Sequence, residues 1–162
     1  MSTTIKWKKG IFETCAKIMS EGEPIGKMKD KLFSQDSEGE LWEKKYHFKT
    51  TGIFKQETDI TDAESGQQVG TITYNSWNTK ASLVLNGKEY QWKYDNSWQN
   101  RWSMSGENVT LTSKNHELSG SIESSIEDPL VVLSGLFVTN FYRQLMVMIM
   151  LVSMMPIWMI LL

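Results

Sequence analysis

The densest group of potential ligands is DITDAESG, where Asp59, Asp62 and Glu64 lie close together. A calcium loop needs oxygen ligands at alternate positions and a further glutamate to close the shell, and this stretch has neither, so the expected structure is a solvent-exposed hairpin turn. His47 and His116 are far apart and have no other metal-ligand types at useful spacing. Cys15 is the single cysteine, which excludes an internal disulfide; its place in FETCAKIM suggests a buried, inert thiol. The chain has no G-x-S-x-G elbow, phosphate-binding glycine loop, H-E-x-x-H pair or paired-cysteine motif. No two carboxylates form a recognisable acid and base pair. The reading is therefore no cofactor, no metal and no catalytic residue. The remaining chemistry is cationic. Lys27, Lys29 and Lys31 alternate, so a strand would project them from one face towards anionic headgroups. Asp30 and nearby glutamates dilute that field, and a solvated face is the plainer account. Arg143 is the fourth such candidate.

These residues sit in a chain of two solvents. All 19 acidic and 16 of the 17 basic side chains lie in residues 1–128, which carry mixed charge like an ordinary soluble domain. That balance excludes a nucleic-acid-binding stripe, which would be strongly basic. After Asp128 the only charged side chain is Arg143. The opening MSTTIKWKKG has basic residues but no apolar run behind them, so it does not read as a secretory signal. The sequon Asn108-Val109-Thr110 therefore matters only if this part enters a secretory lumen.

Short alternating stretches divided by turn signals fill residues 1–128. Ile5 and Trp7 alternate with lysines; Phe12, Thr14, Ala16 and Ile18 follow, then Ile25, Met28, Leu32 and Phe33. Leu41, Trp42, Tyr46 and Phe48 read as one strand up to TTG. ASLVL and EYQWKY flank Asn86-Gly87, the strongest short-range hairpin signal. WQNRWSM places Trp98 and Trp102 on one face of a strand. The pattern predicts ten or eleven strands, hence an antiparallel sandwich or closed barrel. Six of the seven tryptophans lie here. They are expected to fill one sheet face and cap its ends rather than form a carbohydrate platform.

The apolar end divides in two. Residues 130–141, LVVLSGLFVTNF, would reach only about 18 Å as a helix, short of a bilayer core of about 30 Å. Asp128-Pro129 is a credible start, with aspartate as cap and proline in the first turn. Residues 145–162, LMVMIMLVSMMPIWMILL, carry no charge and reach about 27 Å, near the minimum for a span. Leu145, Met150, Pro156, Trp158 and Leu162 mark this candidate transmembrane anchor, and Arg143 before it can snorkel to the headgroups. A single span from near Val131 to near Leu151 competes, but it leaves Arg143 near mid-bilayer at a cost of at least about 2.5 kcal/mol.

Residues 128–144, DPLVVLSGLFVTNFYRQ, resemble the closing segment of the tubby C-terminal-like superfamily, which includes LURP-one-related proteins and phospholipid scramblases. The resemblance lies in the apolar run, the step Gly135-Leu136-Phe137 and the exit Tyr142-Arg143. Upstream, DAESGQQVGTITYN resembles that family's hairpin through Asp62, Gly66, Val69, Gly70 and Ile72. The resemblance covers residues 5–144. It implies a mainly β fold: a roughly twelve-stranded antiparallel barrel (residues 1–144) threaded by a hydrophobic helix over residues 129–143. Residues 145–162 depart from the pattern and would form a separate terminal apolar helix. No lipid-binding residue of the family finds a matching position. The expected function is a non-enzymatic tubby-like module, anchored by its apolar end with the β domain in the cytoplasm, binding a phospholipid or a protein partner and no nucleic acid. The alternatives are a scramblase-like lipid transporter, or an enzyme with a site in the barrel mouth.

Overall fold

The computed structural model describes residues 2–10, 13–31 and 35–161. Phe12, Leu32, Phe33 and Leu162, named above, lie outside the described residues. Twelve strands run in order: β1 (Thr3–Lys9), β2 (Cys15–Ser20), β3 (Glu23–Asp30), β4 (Ser37–Leu41), β5 (Lys44–Thr51), β6 (Glu57–Asp62), β7 (Gln68–Tyr74), β8 (Lys80–Leu85), β9 (Lys88–Tyr94), β10 (Arg101–Gly106), β11 (Val109–Asn115) and β12 (Ser119–Ser124). Among the described residues one helix, α1 (Pro129–Leu161), follows these strands. Each strand pairs antiparallel with its sequence neighbours, and β1 closes the ring against β12, from Thr3↔Ser124 to Lys8↔Ser119. Closure leaves no unpaired sheet edge.

The barrel is closed, as the resemblance implies, and the strand count exceeds the ten or eleven read from turn signals. The hidden turn is Trp42-Glu43. Both residues take positive φ, 48° and 66°, so the expected single strand through Leu41 and Phe48 is a β4–β5 hairpin. This turn is built without the usual Asn-Gly. Asn86-Gly87 behaves as its sequence predicts, with φ of 50° and 78° between the paired Leu85 and Lys88. The register of β2 against β3 shifts after Ile18, which pairs with Gly26 while Met19 pairs with Pro24. Ile25 is the extra residue of that bulge. This is why Ile25 and Met28 break strict alternation.

The inward residues of the strands and the first half of α1 make one core. Ile5, Leu41, Ile60, Ile72, Trp92, Trp102, Met104, Leu111 and Ile122 are fully buried, as are Val132, Leu133 and Val138 of the helix. A helix lacking a polar face belongs inside a barrel, because wall side chains surround it on every side. Two glycines set how closely it approaches. A Cβ on Gly135 would stand 2.8 Å from the Trp102 ring, and one on Gly39 would stand 3.2 Å from Leu133.

The expected break between two helices is absent. α1 runs through Tyr142, Arg143 and Gln144 as a single helix of 33 residues. What changes there is burial: every residue from Leu130 to Tyr142 except Asn140 is buried, whereas Met146 to Leu161 are all exposed. The boundary read from Arg143 is therefore a change of surroundings along a continuous rod. Helical bonding persists because nothing in Tyr142-Arg143-Gln144 interrupts the backbone ladder.

Candidate functional site

The site is the end of the barrel from which α1 emerges. In a closed antiparallel meander, every turn from an odd strand to the next even strand lies at one end. The helix starts at the other end, where Asp128 Oδ1 accepts hydrogen bonds from the Leu130 and Val131 amides at 3.0 and 3.4 Å. That cap starts α1 immediately beneath the barrel.

Within the barrel, rings grip the helix. Phe137 stacks on Phe48 with centroids 4.6 Å apart, and Phe141 stacks on Tyr74 at 4.1 Å. Tyr142 lies 5.5 Å from Trp92, and its hydroxyl donates to the Lys80 carbonyl. These contacts account for Trp92 and Trp102 as packing residues. Burial pushes the Tyr94 phenol up to about 12, and burial also raises Tyr74, whose hydroxyl is 2.7 Å from Thr58 Oγ1.

Asp30 is the polar hub at the exit. Its Oδ1 accepts from Ser37 Oγ at 2.7 Å and from Asn140 Nδ2 at 2.6 Å, and its Oδ2 pairs with Lys9 Nζ at 3.0 Å. One carboxylate thus ties β1, β3, β4 and α1 together. Arg143 caps the opening with its guanidinium carbon 5.3 Å from the Trp7 ring centroid, and its Nη2 reaches the His116 carbonyl at 3.4 Å. Beside these residues the plug leaves a cavity of about 20 Å³ lined by Trp7, Met28, Asp30 and Asn140. That is room for one water molecule. A wider groove of about 620 Å³ lies outside, between the rim and the emerging helix, lined by Lys9, Gln35, Gln56, Arg143 and Met148 among others.

The four candidate cations separate. Arg143 and Lys31 reach the exit end. Lys27 and Lys29 project from the outer wall, where the register sets them against Glu40 and Glu38. Glu38 also pairs with Lys45, and that hydrogen bond holds its carboxyl below the usual range. The expected lysine face is therefore a mosaic of both signs. Among the candidate anchor residues, Met150 and Trp158 are 58% and 63% exposed, and the helix continues through Pro156. Leu145 is half-buried at the mouth.

Other sequence candidates fall into place as turns and walls. Asp62 Oδ1 accepts from the Glu64 and Ser65 amides, and Gly66 has φ 73°, so the acidic stretch is a hairpin turn. Among the described residues no three His, Cys, Asp or Glu side chains group as a metal site would require. Cys15 opens β2 and is half-buried rather than buried. His47 stands on the outer wall, its Nδ1 4.0 Å from Glu38.

Sequence reasoning missed two things here. Asp30 read as a residue diluting a lysine patch, whereas it is buried, at 6% exposure; alternation with Met28, also inward, is the signal that points it to the core. Trp98 was expected on a strand face with Trp102, but β10 begins only at Arg101 and Trp98 is 86% exposed in the turn before it. Asn96, whose Oδ1 accepts from the Asn100 and Arg101 amides, closes that turn. The run Asp-Asn-Ser ahead of Trp98 is the sequence signal for it. Comparison with protein-family models, curated proteins and solved structures found no match.

Proposed function

We propose that this chain is a membrane-anchored, non-enzymatic β-barrel module of the tubby-like kind, held at a bilayer by the second half of α1. The observation that carries the reading is the change of burial along one unbroken helix. Its first half is barrel core, and its second half is apolar with nothing to pack against. An 18-residue window within α1 has mean hydropathy 2.1 and no buried residue. Sixteen consecutive exposed residues of that composition are costly in water, at roughly 25 cal/mol for each Å² of apolar surface. Lipid removes that cost.

Arg143 stands where the helix leaves the protein, within the juxtamembrane stretch over which the positive-inside tendency acts. That position of Arg143 is what supports a cytoplasmic barrel. Twelve-strand closure around a threading helix is what supports the tubby-like reading. The filled interior leaves the exterior groove beside Arg143 as the place for a lipid headgroup or a segment of a partner protein.

The test is truncation after Gln144 compared with the full chain. The full chain is expected in the membrane fraction and resistant to alkaline carbonate, and the truncated chain is expected in the soluble fraction with unchanged β-sheet circular dichroism. Membrane association of the truncated chain would overturn the anchor. Asn108 lies in the exposed β10–β11 turn and reports sidedness, because a cytoplasmic barrel leaves it unglycosylated in eukaryotic cells.

A further inference from the structure

The two ends of the barrel differ in kind. At the end where α1 begins, the segments joining strands to one another and to the helix are short. Their charged residues are Glu21, Glu43, Glu64, Glu107, Glu127 and Asp128, all acidic. At the end where α1 emerges, the joining segments present large apolar side chains to solvent. Ile53 and Phe54 between β5 and β6 are 88% and 103% exposed. Trp77 between β7 and β8 is 84% exposed, and Trp98 between β9 and β10 is 86% exposed. Apart from Val84 on the outer wall, these are all the large hydrophobic side chains exposed outside α1 among the described residues.

The geometry of α1 brings this rim to lipid. Leu145–Leu161 extends about 26 Å as a helix, against a hydrocarbon core of about 30 Å. No linker intervenes, because the same helix is gripped by the barrel up to Tyr142. A helix that continues without a break from the barrel core into the span seats the barrel with its exit rim at the headgroup layer. Tryptophan and phenylalanine are stable at that depth, with their rings among the upper acyl chains and, for tryptophan, an N–H free to meet headgroups. We infer that the helix-exit rim is a second membrane-contact surface, in which Ile53, Phe54, Trp77 and Trp98 insert into the bilayer interface around the span. This inference rests on the anchor reading and extends it. The barrel is then docked upright on the bilayer, with its acidic end facing away.

The experiment uses the full chain carrying Cys15→Ser, with one new cysteine bearing an environment-sensitive fluorophore. Rim positions are Phe54→Cys and Trp77→Cys, and control positions at the far end are Glu64→Cys and Glu107→Cys. The protein is reconstituted at low density in vesicles of phosphatidylcholine and phosphatidylglycerol, part of it brominated in the acyl chains. Rim labels are expected to shift to the blue and to be quenched by the brominated lipid several-fold more than the controls, which stay aqueous. Rim labels that remain aqueous in chains that resist carbonate extraction overturn the rim contact and leave the anchor standing. Rim labels shielded only as protein density rises also overturn it, in favour of contact between copies. Chains that fail to insert at all overturn the anchor and the rim together. Circular dichroism of each labelled chain is required to match the parent.

Discussion

At the level of single residues, Asp30 and Gly135 decide how the helix is held. Asp30 has three partners, and its removal leaves the Lys9 ammonium and the Asn140 amide without their acceptor. Asp30→Ala is expected to cost about 3 kcal/mol, read as a lowered urea midpoint in detergent. Gly135 acts by what it lacks. Gly135→Val drives methyl groups into the Trp102 ring and is expected to cost about 1–3 kcal/mol. Gly135→Ala would fall below that, because one methyl asks for less displacement. The buried phenols set an alkaline limit. Tyr94 is raised to about 12 and Tyr74 is raised as well, so each favours the folded state while neutral. Their contribution is complete below the ordinary tyrosine pKa of about 10 and declines as pH rises through the folded-state values. Ultraviolet titration should therefore show a tyrosine fraction ionising late, together with loss of β-sheet signal.

Among the elements, the β4–β5 hairpin and α1 carry the most information. Trp42-Glu43 forces two non-glycine residues into the left-handed region, a conformation that costs roughly 1–2 kcal/mol per residue. Glu43→Gly relieves one of them, partly offset by the freedom glycine gains when unfolded. A gain of up to about 1 kcal/mol in chemical denaturation is expected. The start of α1 offers the opposite test: Asp128→Ala removes the cap and should cost about 1 kcal/mol. In α1 the residue types change little at Arg143, but the surroundings change completely, so one element is barrel core in its first half and exposed in its second.

For the molecule as a whole, the barrel and the plug stand or fall together, and the exposed half of α1 stands apart. Truncation after Gln144 takes only the half-buried Leu145 from the edge of the core, and the thermal midpoint of the soluble product should lie within a few degrees of the full chain's in detergent. Truncation after Asp128 removes twelve buried residues of the core. It should leave a chain without cooperative unfolding, since a barrel emptied to that extent exposes its inner face to water. Much of this organisation is visible in the residues: alternation marks the inward positions of β8, β9 and β11, and Asn86-Gly87 marks its hairpin. The exit site is less visible. Asp30 lies more than a hundred residues from Asn140 and Arg143, and it meets them only because α1 threads the ring. The rim residues Ile53, Phe54, Trp77 and Trp98 look like core residues until the turns that hold them are located.

Residue pattern alone settles an all-β body, an apolar end and the change of character at Tyr142-Arg143. These follow from local rules of period, capping and charge, which operate over a few residues. Strand number, ring closure, the continuity of α1 and the gathering of the exposed rings at one end are decided by the tertiary structure. They depend on which ends of distant strands lie together, and that is a property of the closed meander that no single stretch of the chain contains.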